Sequence, residues 1–190
     1  MLSSKSYLSA FFKALPFKCT PPHLTPAPTG ARLKREDCVK GSLSENKFWW
    51  SGHFRRCLGA MSHIQNWTFP ELAVAISMIS QYMTCPGQPH WDFLFRVLCY
   101  VHANMDASRV FSHQKPGTGR VYFGYADADY AGCVDSRRSR TGYCFFLFGN
   151  LVGHCSKLQR CVSLSTCEAE YLAPVAACQF AMYVVCTVVA

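Results

Sequence analysis

The segment VYFGYADADYAG, residues 121–132, decides the fold class. The apolar residues Val121, Phe123 and Tyr125 occupy every second position, and a period of two is typical of a half-buried strand. This alternation continues into Asp127, so the predicted strand ends in carboxylates. The sequence around it is therefore expected to build a sheet.

Two more strands are predicted directly after the first one. The segment TGYCFFLFGN, residues 141–150, is apolar and bounded by turn residues, and residues 151–155 form a shorter run. Three consecutive strands imply an antiparallel meander. Ser165 and Glu168 then have the spacing of a capping box, which predicts that a helix begins there and carries Glu170. Strands followed by this helix indicate an α+β fold.

Upstream of the strands, the sequence predicts a helical hairpin. Thr68 and Glu71 have the spacing of a capping box, and a second helix is expected near Pro89, after the turn at residues 85–88. Apolar residues recur at helical spacing along both helices. They are Leu72, Ile76, Ile79 and Met83 in the first, and Trp91, Leu94, Phe95, Leu98 and Val101 in the second. We interpret the aromatic residues among them as core.

Residues 1–45 are rich in proline and lack apolar periodicity, so they are predicted to be a flexible arm. The apolar patch at residues 7–12 resembles a secretion signal, although Lys13 interrupts it. Residues 1–60 contain ten Lys or Arg and three Asp or Glu, a net charge of +7 out of a total of +8. Such a basic segment favours nucleic acid, an anionic membrane surface or a targeting role.

The twelve cysteines include no CxxC pair, and a structural zinc site is therefore not expected. Cys99 and Cys144 lie in apolar runs and are predicted to be reduced core thiols. A disulfide framework is the alternative if the chain is secreted. Residues 171–190 carry no formal charge and are long enough to span a bilayer, but Pro174 and the absence of a basic flank do not favour a membrane span.

Four carboxylates are candidates for a metal site. Asp127 at a strand end and Glu170 in the first turns of a helix could converge, with Asp129 and Glu168 nearby. Mg²⁺ prefers oxygen ligands, but two acids alone make a poor site for two-metal phosphodiester cleavage. The alternative is that the aspartates are turn residues and the glutamates stabilise a helix N-terminus.

The segments GYADADYAG (124–132), SRRSRTGYCFFLFG (136–149) and SKLQRCVSLSTCEAEYLA (156–173) resemble the ribonuclease H domain of copia-type retrotransposon polyproteins. Upstream, FRRCLGAMSHI (54–64) and TFPELAVAISMISQYM (68–83) resemble the end of the reverse transcriptase region of that family. The resemblance implies three parts. They are a leader and basic arm at 1–45, a helical remnant of the reverse transcriptase connection at 46–110, and a truncated ribonuclease H-like domain at 120–190 with a three-stranded meander and one packed helix.

By the same resemblance, Asp127 corresponds to the family's first metal-binding aspartate and Glu170 to its metal-binding glutamate. The third acid would follow on a later strand, which does not occur before Ala190. We therefore expect no active catalytic residue, only a vestigial Mg²⁺ site at Asp127 and Glu170, and no other cofactor. The resemblance thus predicts that the chain is not an enzyme.

The segment Arg32-Leu33-Lys34-Arg35-Glu36-Asp37 is similar to a degenerate RxLR delivery motif. Polyproteins of the copia type commonly carry a lysine-rich stretch ending in Glu-Asp-Cys at this point, which is an alternative origin for it. Fragments derived from copia elements also resemble one class of secreted RxLR effectors of downy-mildew oomycetes. That resemblance implies secretion, delivery into host plant cells, a virulence role through an unidentified host protein and suppression of host cell death. The alternatives are an inactive, intracellular fragment without a cellular role and a weak nucleic-acid binder that uses the basic arm.

Overall fold

The computed structural model describes residues 1–38, 50–112 and 121–189. The chain divides into two compact units, Met1–Val110 (the N-terminal unit) and Phe111–Ala190 (the C-terminal unit). The described residues combine helices with a three-stranded antiparallel sheet, which confirms the α+β class. The predicted boundaries at residues 45/46 and 120 lie outside the described residues.

The N-terminal unit is mainly helical. Its elements are β1 (Leu2–Ser3), α1 (Lys5–Lys13), α2 (Trp50–Trp67), α3 (Ala73–Ile79), α4 (Gln88–Ala103) and β2 (Ser108–Arg109), and β1 pairs antiparallel with β2. Short 3₁₀ turns cover Arg35–Asp37, Pro70–Leu72 and Ser80–Tyr82.

A single apolar core holds these helices together. The side chains of Phe54, Met61, Leu94 and Leu98 are fully or almost fully buried in it. The helix predicted near Pro89 is confirmed, with Pro89 in the first turn of α4 and buried residues along one face. Proline is tolerated there because the first amide groups of a helix have no helical partner.

For residues 1–38, the described part of the predicted arm at residues 1–45, the structure shows packing where the prediction was a flexible segment. Leu8 and Phe11 of α1 are buried, and Cys19 and Leu33 lie in the same core. The contacts of residues 1–38 are with helices far away in sequence, and local periodicity does not show such contacts. The proline-rich composition of this segment therefore marks irregular backbone and does not mark an absence of packing.

The first helix of the predicted hairpin also differs from the expectation. It is divided into the Pro70–Leu72 turn, α3 and the Ser80–Tyr82 turn, and no side chain caps it. The Thr68 hydroxyl instead donates to the carbonyl of Ile64 and contacts the hydroxyl of Ser4 at 2.9 Å. Glu71 accepts a hydrogen bond from the Tyr100 hydroxyl. Both residues of the predicted capping box thus have other partners.

The C-terminal unit contains β3 (Tyr122–Asp129), β4 (Arg140–Leu147), β5 (Asn150–Leu158) and α5 (Thr166–Val189), with strand order β3-β4-β5. This confirms the predicted meander and helix. Ser165 accepts a hydrogen bond from the amide of Glu168, as a capping box requires, but the Glu168 carboxylate accepts from the amide of Leu164. The cap therefore forms, but the Glu168 carboxylate bonds the amide of Leu164 and not the amide of the capping residue Ser165.

Helix α5 covers one face of the sheet. Phe180 contacts the rings of Tyr143 and Phe145, with centroid distances of 5.4 and 5.5 Å, and its ring lies against Gly153, where a side chain would collide with it. Among the described helices, one segment, Thr166–Thr187, is long and apolar enough to cross a membrane by length and composition. Core helices of soluble proteins pass the same test.

Candidate functional site

The segment Arg32–Asp37 lies on the surface of the N-terminal unit and is anchored to it at Leu33. Leu33 is buried in the core, and its carbonyl oxygen accepts a hydrogen bond of 2.8 Å from the hydroxyl of Tyr82. The side chains of Arg32, Lys34 and Arg35 are exposed on either side of it. A buried leucine is thus flanked by three exposed cations, and the acidic Glu36 beside them is also exposed.

Asp127 lies in β3, opposite Gly142 of β4, and its side chain is exposed. Its carboxylate accepts a hydrogen bond of 2.9 Å from the amide of Ala128. Strand alternation places Asp127 on the same sheet face as Phe123 and Tyr125, whereas Phe180 of α5 packs on the other face. The carboxylate therefore projects from the same face as the exposed ring of Tyr125.

Two of the other predicted acids, Glu168 and Asp129, are held by local contacts, whereas Glu170 is exposed. Glu170 is exposed on α5 beside the buried Ala169, and Glu168 is engaged in the helix cap. The Asp129 carboxylate packs against Gly132, where any side chain would collide with it. Within residues 1–38, 50–112 and 121–189, His, Cys, Asp and Glu side chains form no group of three or more that could hold a metal ion. The convergence of Asp127 and Glu170 stays a prediction.

A buried polar network joins the sheet to the start of α5. The side-chain amide of Gln159 donates to the Thr141 hydroxyl at 3.2 Å and to the carbonyl of Ala169 at 3.0 Å. Its oxygen accepts from the Ser163 hydroxyl at 2.8 Å, and its backbone amide donates to the carbonyl of Ser139. Gln159 therefore fixes the helix turn that carries Glu168 and Glu170.

Sequence reasoning missed Gln159. The only signal was an uncharged polar residue between a strand and a Ser/Thr-rich helix start, and that pattern is also typical of an exposed loop. A buried amide needs partners for all of its donors and acceptors, and those partners come from three separate segments. The role is visible only when the segments are together.

A groove of about 520 Å³ lies beside this network, between the end of β5 and the middle of α5. Leu158, Leu172 and Val175 provide its apolar part, while Lys157 and Arg160 provide positive charge. Apolar and positively charged side chains thus lie next to each other in this groove.

All twelve cysteines lie in the described residues, and each is a thiol outside any disulfide. Cys99 is buried as predicted, with Cys19 and Cys57 in the same core, whereas Cys144, also predicted to be a core thiol, is half-buried in β4. Burial raises the pKa of the Cys19 thiol to about 12 and that of Cys57 to about 11, with the neighbouring thiols adding to the effect at Cys19. These thiols are therefore poor nucleophiles near neutral pH.

Comparison with known proteins identifies relatives over most of the chain. The retrovirus-related Pol polyprotein from transposon TNT 1-94 of Nicotiana tabacum is 31% identical over 90% of this chain, which spans 13% of that polyprotein. The retrovirus-related Pol polyprotein from transposon RE2 of Arabidopsis thaliana is 36% identical over 62% of this chain and 8% of the relative. No family model and no solved structure matches the chain.

A short relative matches along most of its own length. The secreted RxLR effector protein 161 of Plasmopara viticola is 41% identical over 66% of this chain and 87% of the effector. The transposon polyproteins and this short protein thus share one region of sequence with the chain. The chain therefore belongs to the family of proteins derived from copia-type retrotransposon Pol polyproteins.

Proposed function

We propose that the chain is a non-catalytic, secreted effector of the RxLR type that suppresses host plant cell death. The observation that carries this proposal is the 41% identity with the secreted RxLR effector of Plasmopara viticola over 87% of its length. A polyprotein match covers only a small fraction of the relative, whereas the effector is matched nearly from end to end. The proposed role requires no cofactor, and its direct partner would be a host protein.

The geometry of Arg32–Asp37 supports a role in delivery. Exposed cations are held on a backbone that Leu33 and Tyr82 fix, so a receptor or an anionic surface would meet them without first ordering the segment. Preorganisation of this kind lowers the entropy cost of binding.

The cell-death function is testable by expressing the full chain in leaf cells beside a cell-death inducer. The full chain is required, because a shortened chain that begins at residue 20 would lack the core side chains Leu8 and Phe11. We expect ion leakage from the tissue to fall relative to a fluorescent-protein control. Equal leakage in both samples would remove the effector proposal.

Delivery is tested separately with a double substitution in the motif. Arg32→Ala with Arg35→Ala should reduce uptake of the secreted protein into host cells, since it removes two exposed cations of the segment. Arg55→Ala with Arg56→Ala is the matched control, because those arginines are also adjacent to the core and exposed, but lie on α2. Uptake that both variants reduce equally would show that general positive charge, and not this motif, governs entry. Uptake that neither variant reduces would contradict a role of the motif in delivery.

We also propose that the C-terminal unit is a ribonuclease H-like remnant without nuclease activity. Support comes from the order of its strands and helix, and from the relation of the chain to a small part, 13%, of a transposon Pol polyprotein. Incubation with an RNA:DNA hybrid and Mg²⁺ or Mn²⁺ should give no cleavage. Cleavage that Asp127→Asn abolishes would contradict the proposal.

Weak nucleic-acid binding is the second candidate, favoured by the net charge of +7 in residues 1–60. Lys5, Lys13 and Lys18 in this region are exposed. Binding that rests on phosphate contacts weakens steeply with salt because it releases counterions. Filter binding at two salt concentrations distinguishes it from the effector proposal, which predicts no such binding.

A further inference from the structure

Helix α5 has two apolar faces, and only one of them packs on the sheet. Ala169, Ala173 and Ala177 recur every four residues and are buried against the sheet. At about 100° per residue, the opposite side of the helix is centred about 180° away from Ala173, close to the position of Met182. That side should be polar in a helix that contacts only one neighbour.

The opposite side of α5 instead carries a regular stripe of exposed apolar side chains. The stripe consists of Tyr171, Val175, Cys178, Met182 and Val185. Their separations alternate between four and three residues, which is the spacing of the two core positions in a coiled-coil heptad. Tyr171 is 73% exposed and Met182 is 67% exposed, so the stripe is a separate, solvent-facing surface and not the edge of the face that packs on the sheet.

We propose that this stripe is the contact surface for a second copy of the same chain, forming a short two-helix coiled coil. A heptad stripe is self-complementary, because two copies supercoil to keep the same positions in contact. Residues 171–190 contain no charged side chain, so two copies bring no like charges together along the stripe. The proposal is independent of the effector function.

The length of the stripe sets the expected strength of the contact. From Tyr171 to Val185 the stripe covers about 21 Å of helix, at about 1.5 Å per residue. Stable coiled coils usually need three to four heptads, and this stripe has about two. We therefore expect a reversible dimer with a dissociation constant in the micromolar range.

A lipid bilayer is less suited to this surface than a second copy. Helices that lie on anionic membranes combine an apolar face with Lys and Arg, whereas α5 begins with Glu168 and Glu170 and contains no basic residue. Withdrawing the helix into a bilayer would also expose the sheet face that Phe180 covers.

The test is sedimentation velocity of the full chain under reducing conditions, from about 1 to about 100 µM. We expect the mass to rise from monomer to dimer across this range. Met182→Glu should weaken association at least about tenfold, because it places a carboxylate in the centre of the stripe. Met182→Leu should retain the dimer, and this conservative variant keeps the test valid if the charged variant misfolds.

Tyr183→Glu is the matched control. Tyr183 is adjacent to Met182 and equally exposed, at 67%, but lies outside the stripe. The same charge at this position should leave the dimer within about twofold of wild type. A monomer at all concentrations, equal weakening by both glutamate variants, or flotation of a monomer with phosphatidylcholine vesicles would each overturn the proposal.

Discussion

The buried thiol of Cys19 is expected to make the stability of the N-terminal unit depend on pH. Cys19 lies in the core beside Cys99 and Cys57, and burial is the main cause that raises its pKa from about 9 to about 12. The unfolded chain loses this proton near pH 9, but the folded chain holds it to higher pH. Stability from the neutral thiol is therefore present below pH 9 and is lost as the pH rises from about 9 to about 12.

We expect the urea midpoint of the N-terminal unit to fall between about pH 8 and about pH 10.5, under reducing conditions, because the unfolded state releases protons there. Cys19→Ala should make this fall shallower, since it removes one of the raised thiols. Cys85→Ala, at an exposed cysteine of the same unit, should keep the wild-type slope. Parallel slopes for wild type and Cys19→Ala would contradict the assignment.

At the scale of elements, the β4–β5 hairpin carries backbone strain in its turn. The two-residue loop consists of Phe148 and Gly149, with φ values of 48° and 75°, as a type I′ turn requires. Gly149 adopts this conformation without steric cost, but Phe148 does not. Asn150 supports the turn by donating to the carbonyl of Phe148 and by bonding the backbone of Ser112.

Two substitutions in this turn should change stability in opposite directions. Phe148→Asn should stabilise the C-terminal unit by up to about 1 kcal/mol, because asparagine tolerates positive φ and type I′ turns favour Asn-Gly. Gly149→Ala should destabilise it by about 1–2 kcal/mol, because a Cβ is disfavoured there. Circular dichroism in urea measures both. Changes of the same sign would show that side-chain packing of Phe148, and not backbone strain, dominates.

The elements that were predicted correctly are those whose sequence signals depend on residues close together in the chain. Strand alternation at residues 121–132 and the cap at Ser165 gave β3 and the start of α5, because period and capping depend on near neighbours. They failed for α1 and for Thr68, whose partners lie elsewhere in the chain. Gln159 was missed for the same reason. The candidate acids were recognisable by motif, but their spacing in the fold could not be derived from the sequence.

At the scale of the whole molecule, the two units have separate interiors. The large apolar cluster lies entirely within the N-terminal unit, between Leu8 and Val101. The C-terminal unit buries fewer large side chains and depends on Phe145, on the alanines of α5 and on the polar network of Gln159. Separate interiors with different contents imply that the units unfold in separate transitions.

The tryptophans allow the two transitions to be distinguished. All four lie in the N-terminal unit, so tryptophan fluorescence reports that unit alone, whereas circular dichroism reports both. Leu94→Ala should destabilise the N-terminal unit by about 2–5 kcal/mol and shift the fluorescence transition. Gln159→Ala should leave that transition in place and shift the remaining dichroism change, because its buried partners Thr141 and Ser163 lose their hydrogen bonds at a cost of about 1–3 kcal/mol. One coincident transition that moves with either substitution would show instead that the units unfold together.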